Sequence, residues 1–294
     1  MPRAGGHGKV RKGNKENMGL KLMYITNDPM VATVAENSGV DRIWIDLENL
    51  GKEERQKGMN SVKSNHQIGD VKRLRPYVKK AELMVRVNPL HEDSEEEIEA
   101  VIDGGADLIM LPMFHCAEEV GKFVDIIRRR AKVMLLVETK EAYENIEKIV
   151  KVPGIDEIHI GLNDLHLSYD MTFMFEPLAN GMIDKICGVI KEAGIPYGFG
   201  GVAKLGEGLL PAERVLGEHY RLGSSMVILS RTFCDTWTDK HEDTLKLVFN
   251  SGVSALRRYE NMLSAQDERY FVENHAEVQK AVAKIVELLK QKRG

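Results

Sequence analysis

Cysteine is scarce in this chain: Cys116, Cys187 and Cys234 are the three among 294 residues, and no two stand at a Cys-x-x-Cys or zinc spacing. That argues against a disulfide framework and fits a reducing, cytoplasmic setting. Long apolar runs are missing too. No window approaches the roughly 18 to 20 consecutive apolar residues that a membrane span requires, so a soluble protein without membrane contact is expected. Positive charge is not in excess: the formal net charge is -4, which removes any broad attraction to nucleic acid. The basic stretch MPRAGGHGKVRKGNKENM, residues 1–18, lacks the apolar segment of a secretory signal and is read as a disordered arm. Walker and dinucleotide fingerprints are also lacking. The glycine-rich GFGGVAKLGEG is read as a flexible loop instead.

What the chain does have, from Leu20 onward, is alternation. LKLMYIT, RIWIDLE, ELMVRVN, DLIMLPM, KVMLLVE, EIHIGLN, PYGFGGV and SMVILSR are short β-rich apolar runs. They are separated by amphipathic segments such as EEEIEAVIDGG and MIDKICGVIKEAG, several of which close on glycine as helices do. Near-continuous apolar strands predict a parallel sheet covered on both faces. Eight βα units point to an α/β fold, a (β/α)8 TIM barrel over residues 19–234, with an open flavodoxin-like sheet as the less favoured alternative. Residues 235–294 exceed one closing helix. ALRRYENML and VQKAVAKIVELLK predict at least two further helices there, an extension expected to contact another subunit.

In a barrel the residues that close the strands face the site. Here those residues are polar: Asp46 and Glu48 on the second strand, Arg86 and Asn88 on the third, Glu138 on the fifth, and Asp164 just after the sixth. Two carboxylates at adjacent strand ends repel unless something positive lies between them. A divalent ion with an open shell, Mg²⁺ or Mn²⁺, is the simplest answer. The bland alternative is that Glu138 pairs with Lys140 or an arginine while Asp164 caps a turn. Arg86, with its planar fork, suits either a substrate carboxylate or internal pairing.

WIDLEN, VRVNPL, IDGGADLIMLPM, LLVETKEA and HIGLNDLHLS, in this order and spacing, resemble the HpcH/HpaI aldolase and citrate lyase family over about Leu20 to Thr232. The resemblance implies a metal-dependent barrel, with Mg²⁺, Mn²⁺ or Co²⁺, that makes or breaks a carbon–carbon bond through a pyruvate-type enolate. Its partners would be a keto acid and an aldehyde, and it would be a homo-oligomer joined through its C-terminal helices. By position, Glu138 and Asp164 match the metal ligands, Arg86 the arginine that holds the substrate, and Glu48 the acid supporting a metal-bound water. Pro112, Met113 and Asn163 join Arg86 in the implied substrate-binding set. The pyruvate aldolases of the family carry a histidine where Asn49 stands, working with an aspartate that Asp103 matches. An amide cannot shuttle a proton at neutral pH. Three readings follow: another group, such as His91 or His166, takes over; the chain runs a related step such as decarboxylation; or it binds without turnover. An acyl-CoA lyase is the alternative activity. No lysine sits centrally at a strand end, although Lys140 and Lys204 lie in loops, so a metal route is preferred to an imine.

Overall fold

The computed structural model describes residues 19–50, 65–230 and 241–292. The proposed basic arm, residues 1–18, lies outside them, as does Cys234. Eight strands are present: β1 (Lys21–Ile25), β2 (Arg42–Asp46), β3 (Glu82–Arg86), β4 (Leu108–Leu111), β5 (Lys132–Val137), β6 (Glu157–Ile160), β7 (Tyr197–Val202) and β8 (Met226–Leu229). They close in sequence order into one barrel, with β1 pairing β8, and every pairing is parallel. The fold is therefore the (β/α)8 barrel that the alternation predicts.

The pleat of each strand sends alternate residues to opposite faces. Outward side chains such as Ile43, Ile45, Val85, Leu135 and Ile160 join the large core beneath the helices. Inward ones, Met23, Trp44, Met84, Met110, Met134 and Met226 among them, form a second core within the barrel. The flexible thioether side chains fill this narrow, irregular interior without a fixed shape of their own. Below them, Arg42 is fully buried and bonds Glu82 at 2.7 Å and Glu157 at 2.7 Å. Lys21 reaches the same Glu157 at 3.0 Å. This charged floor seals the N-terminal end of the barrel and leaves the C-terminal end as the open one.

Helices cover the outside: α1 (Pro29–Asn37), α2 (Gly69–Leu74), α3 (Ser94–Asp103), α4 (Ala117–Ile127), α5 (Lys140–Glu144), α6 (Ile146–Ile149), α7 (Leu162–Ser168), α8 (Glu176–Ala179), α9 (Met182–Glu192) and α10 (Ala212–Leu222). The segment after β5 holds two short helices, because Asn145 leaves helical geometry and caps both the end of α5 and the start of α6. Two long helices follow the barrel, α11 (Glu242–Ser264) and α12 (Glu268–Gln291). Both pack on the barrel of their own chain, α11 against α1 and α12 against α10. At the second contact Asn274 is buried and donates to Glu218 Oε1 at 3.0 Å, and His275 Nδ1 lies 2.8 Å from Glu218 Oε2. None of the described helices is long and apolar enough to cross a membrane.

Two histidines are enclosed in the β6 to β7 sector. His159 bonds the Gly200 carbonyl at 3.0 Å, and His219 stacks on Phe199 with ring centroids 3.9 Å apart. Burial pulls His159 down to about 4 and His219 to about 3, from an ordinary 6.5. The unfolded chain therefore binds more protons below pH 6.5, and the stability these neutral rings contribute is present above 6.5 and lost as pH falls toward 4. Each should steepen the loss by up to about 1.4 kcal/mol per pH unit. Urea denaturation at pH 7.5 and 5.0 checks this, and His219→Phe should flatten the dependence. Glu138, whose carboxyl is raised, has the opposite sign in the same window. A protein equally stable at both values would show that the two rings do not dominate.

Candidate functional site

The open end of the barrel gathers the polar strand ends. Asp46 and Arg86 are register partners on β2 and β3. The arginine grips Asp46 with both prongs, Nε to Oδ1 at 2.8 Å and Nη2 to Oδ2 at 2.9 Å, and its Nη1 meets Glu48 Oε2 at 3.1 Å. The guanidinium carbon stands over the Trp44 ring, 5.0 Å from its centroid, a cation–π contact. Burial opposes the charge of Arg86, but Asp46 and Glu48 more than offset it and hold its pKa above the ordinary value. Internal pairing is thus realised. Of the five guanidinium N–H groups three are spent, which leaves two for another molecule.

Glu138 directly follows β5, with 2% of its surface exposed, and accepts a hydrogen bond from the Met113 amide at 3.2 Å. Met113 adopts a left-handed φ of 51°, a costly conformation for a methionine, and the strain turns its N–H toward this carboxylate. Across the site, a Cβ on Gly161 would stand 2.8 Å from Glu138 Oε2, so only glycine leaves room for that oxygen. Asp164 lies inside the first turn of α7, neither in a turn nor capping the helix. Its Oδ1 is buried and has no hydrogen-bond partner among the described residues. Burial and then the charge of Asp164 push the Glu138 carboxyl well above its usual range, and Arg86 only partly counters them. Glu138 makes no ion pair with Lys140, whose ammonium stands 5.5 Å over the Tyr169 ring instead.

This arrangement fits a hard cation. Burial and the neighbouring Asp164 raise the proton affinity of Glu138, one Asp164 oxygen is orphaned in a buried position, and the donors are all oxygen, as Mg²⁺ or Mn²⁺ prefers. Among the described residues no group of three or more His, Cys, Asp or Glu side chains could hold a metal. An ion at Glu138 and Asp164 would therefore keep most of its shell for water and substrate.

The remaining residues singled out from sequence divide. Buried Pro112 and half-buried Met113 follow β4, and Asn163 is half-buried in the first turn of α7, so all three reach the open end. Asn49 is exposed there. Asn88 Oδ1 accepts its backbone N–H at 2.9 Å, and its own amide donates back to the Leu47 carbonyl at 3.2 Å. Asp103 is not brought to the site within one chain. It ends α3, which runs back from the open end, so it is exposed at the sealed N-terminal end. Of the substitute bases, His91 has both ring nitrogens engaged, Nδ1 by the Asp93 amide at 3.2 Å and Nε2 by Glu97 at 3.3 Å. His166 is buried, with Nδ1 donating to the Asn163 carbonyl. Sequence reasoning missed His66. Its buried ring accepts the Asp46 amide at 3.0 Å and reaches the site from just before α2. A histidine ahead of a short helix carries no periodic signal that would have marked it.

The model of the HpcH/HpaI aldolase/citrate lyase family matches residues 21–191. A 4-hydroxy-4-methyl-2-oxoglutarate aldolase from Chaetomium globosum is 22% identical over 222 residues, 63% of this chain and 75% of that one. A 2-keto-3-deoxy-L-rhamnonate aldolase from Salmonella paratyphi B is 28% identical over 190 residues, 54% of this chain and 64% of that protein, just under two thirds of its length. Among solved structures, an HpcH/HpaI aldolase from Desulfitobacterium hafniense superposes with a TM-score of 0.58 at 16% identity, covering 78% of this chain and 93% of that one.

Proposed function

The chain belongs to the HpcH/HpaI aldolase/citrate lyase family, and on that premise we propose that it is a metal-dependent carbon–carbon lyase acting on a 2-keto acid through a pyruvate-type enolate. The observation that carries this reading is the pairing of buried Glu138 with half-buried Asp164, mutually repelling and with one buried oxygen unpartnered, beside the two spare N–H groups of Arg86. Glu138 and Asp164 would hold Mg²⁺ or Mn²⁺, with Co²⁺ a third candidate; when bound, such an ion polarises a keto acid's carbonyl as a Lewis acid. Arg86 presents its spare edge to the substrate carboxylate and to the oxygen on which enolate charge develops. Asp46 and Trp44 keep that edge in place before the substrate arrives, so little reorganisation is needed. Glu48, buried against Arg86, would orient a water in the site. Pro112, Met113 and Asn163 line the substrate's other side.

Asn49 favours a second reading within the same chemistry. Exposed and folded back on Leu47, it offers no proton acceptor, so a step in which CO₂ departs, needing no base on the electrophile side, suits this site better than aldol cleavage. The aldolase names of the relatives support the first reading, and Asn49 the second.

Both are tested by following pyruvate release from a 4-hydroxy-2-keto acid and consumption of oxaloacetate, with and without Mn²⁺. We expect metal-dependent oxaloacetate decarboxylation in the wild type and a gain in aldol cleavage of about 10²-fold or more in Asn49→His, the usual range for restoring a general base. Binding of Mn²⁺ and oxalate without turnover by either protein would leave a binding module on an aldolase scaffold.

A further inference from the structure

Arg86 is largely consumed by Asp46 and Glu48, so any second anionic group on the substrate must find another cation. Among the described residues of the loops that follow the strands, the other lysine or arginine is Lys204, while Lys140 opens α5 just after β5. Lys140 is exposed and rests over Tyr169. Lys204 differs: it is half-buried two residues beyond β7, and among the described residues its ammonium has no ion-pair or hydrogen-bond partner. A partly desolvated cation without a partner carries a standing cost that an anion would relieve.

The loop that presents Lys204 is built to hold still. Its carbonyl accepts the Glu207 amide at 3.0 Å, Gly206 donates to Glu213 Oε1 at 2.8 Å, and Ala212 donates to the Glu207 carbonyl at 3.1 Å. At its root, Gly200 has a φ of 53°, and a Cβ there would stand 2.7 Å from Leu162 Cδ1. This close approach sets the open end of β7 directly against α7, the helix that carries Asp164. The lysine therefore follows β7, the strand next to the one that leads into Asp164, on the opposite side of the barrel mouth from Arg86.

We propose that Lys204 binds a carboxylate at the far end of the substrate, making the preferred 2-keto acid a dicarboxylate. This rests on the metal and keto-acid reading above. One ammonium matches one carboxylate; a phosphate dianion would call for a second cation, and the loop has none among its described residues. The assignment also separates two kinds of substrate that the relatives' names exemplify, an oxoglutarate with a second carboxylate and a deoxyrhamnonate with a neutral tail.

The test is calorimetric titration of the Mn²⁺-loaded protein with 2-oxoglutarate and with 2-oxovalerate, which share a five-carbon keto-acid skeleton and differ in the terminal carboxylate, alongside oxalate. The wild type should prefer the diacid by about 10- to 100-fold, the range for a hydrogen bond to a charged group. Lys204→Met should bring the two within threefold, and Lys204→Arg should keep the preference. Equal wild-type affinities, a preference that survives Lys204→Met, or one lost in Lys140→Met instead would overturn the proposal while leaving the keto-acid reading intact. If oxalate and both keto acids fail to bind, the underlying reading falls and the role of Lys204 with it.

Discussion

Glu138→Ala will lose metal binding and, with it, turnover by at least about 10³-fold, because the contribution of a Lewis-acid ion is several kcal/mol and each 1.4 kcal/mol is a factor of ten. The physical point lies in the companion variant. Glu138→Gln keeps the volume and removes the charge, so it should be as inactive as the alanine variant. Without metal, however, it should be at least as stable as the wild type, since the carboxyl it replaces is held in an unfavourable place by burial and by Asp164. The sign with pH follows. A carboxyl raised in the folded state stabilises below its unfolded value near 4.5, and that contribution is lost as pH rises. The wild-type protein without metal should therefore gain thermal stability on adding Mn²⁺ at pH 8, and Glu138→Gln should not. Equal Mn²⁺ stabilisation of both proteins, read by thermal shift, would remove Glu138 from the metal site.

Arg86→Met carries the second large effect, and it falls on stability as well as activity. The change withdraws the bidentate partner of Asp46 and a partner of Glu48 from a buried position. Removing one side of a buried ion pair typically costs about 3–5 kcal/mol, because the charge left behind stays desolvated. For a chain of this size that is a drop of roughly 10 °C in the unfolding midpoint. Arg86→Lys tests whether shape or charge matters: a lysine restores one positive charge but cannot hold Asp46 with two parallel N–H groups while offering others to a substrate. It should recover most of the midpoint yet bind oxalate weakly. Full recovery of oxalate affinity in Arg86→Lys would mean that the guanidinium's spare edge is not what the ligand contacts.

The two variants separate functions carried at the same end of the barrel by strands with only β4 between them. Glu138 is costly to the resting protein and useful to the loaded one, whereas Arg86 serves both, which is why only the first is expected to be stable when neutralised. Functional sites commonly store strain of this kind, and the left-handed Met113 beside Glu138 is a second instance.

Much of this could be read from the residues in order. Strands apolar on both faces must be covered on both, which determines a parallel sheet, and their number, eight separated by amphipathic segments, favours the closed barrel over an open sheet. The barrel in turn determines that Asp46, Glu48, Arg86 and Glu138, which end or follow strands, share one face. The sequence by itself therefore decided the fold, the family and the membership of the charged cluster. It could not decide partners. Whether Arg86 faces a carboxylate of its own chain or a ligand depends on the angle at which β2 and β3 twist past each other. Whether Asp103 reaches the mouth depends on the direction of α3, which returns it to the sealed end. His66 enters, and Lys204 stands unpaired, through loops whose course is set by contacts such as Gly200 against Leu162, between residues far apart in the chain. Periodicity reports which side of an element a residue occupies. Only tertiary structure decides which charges meet, because that depends on distances between elements that no spacing along the chain encodes.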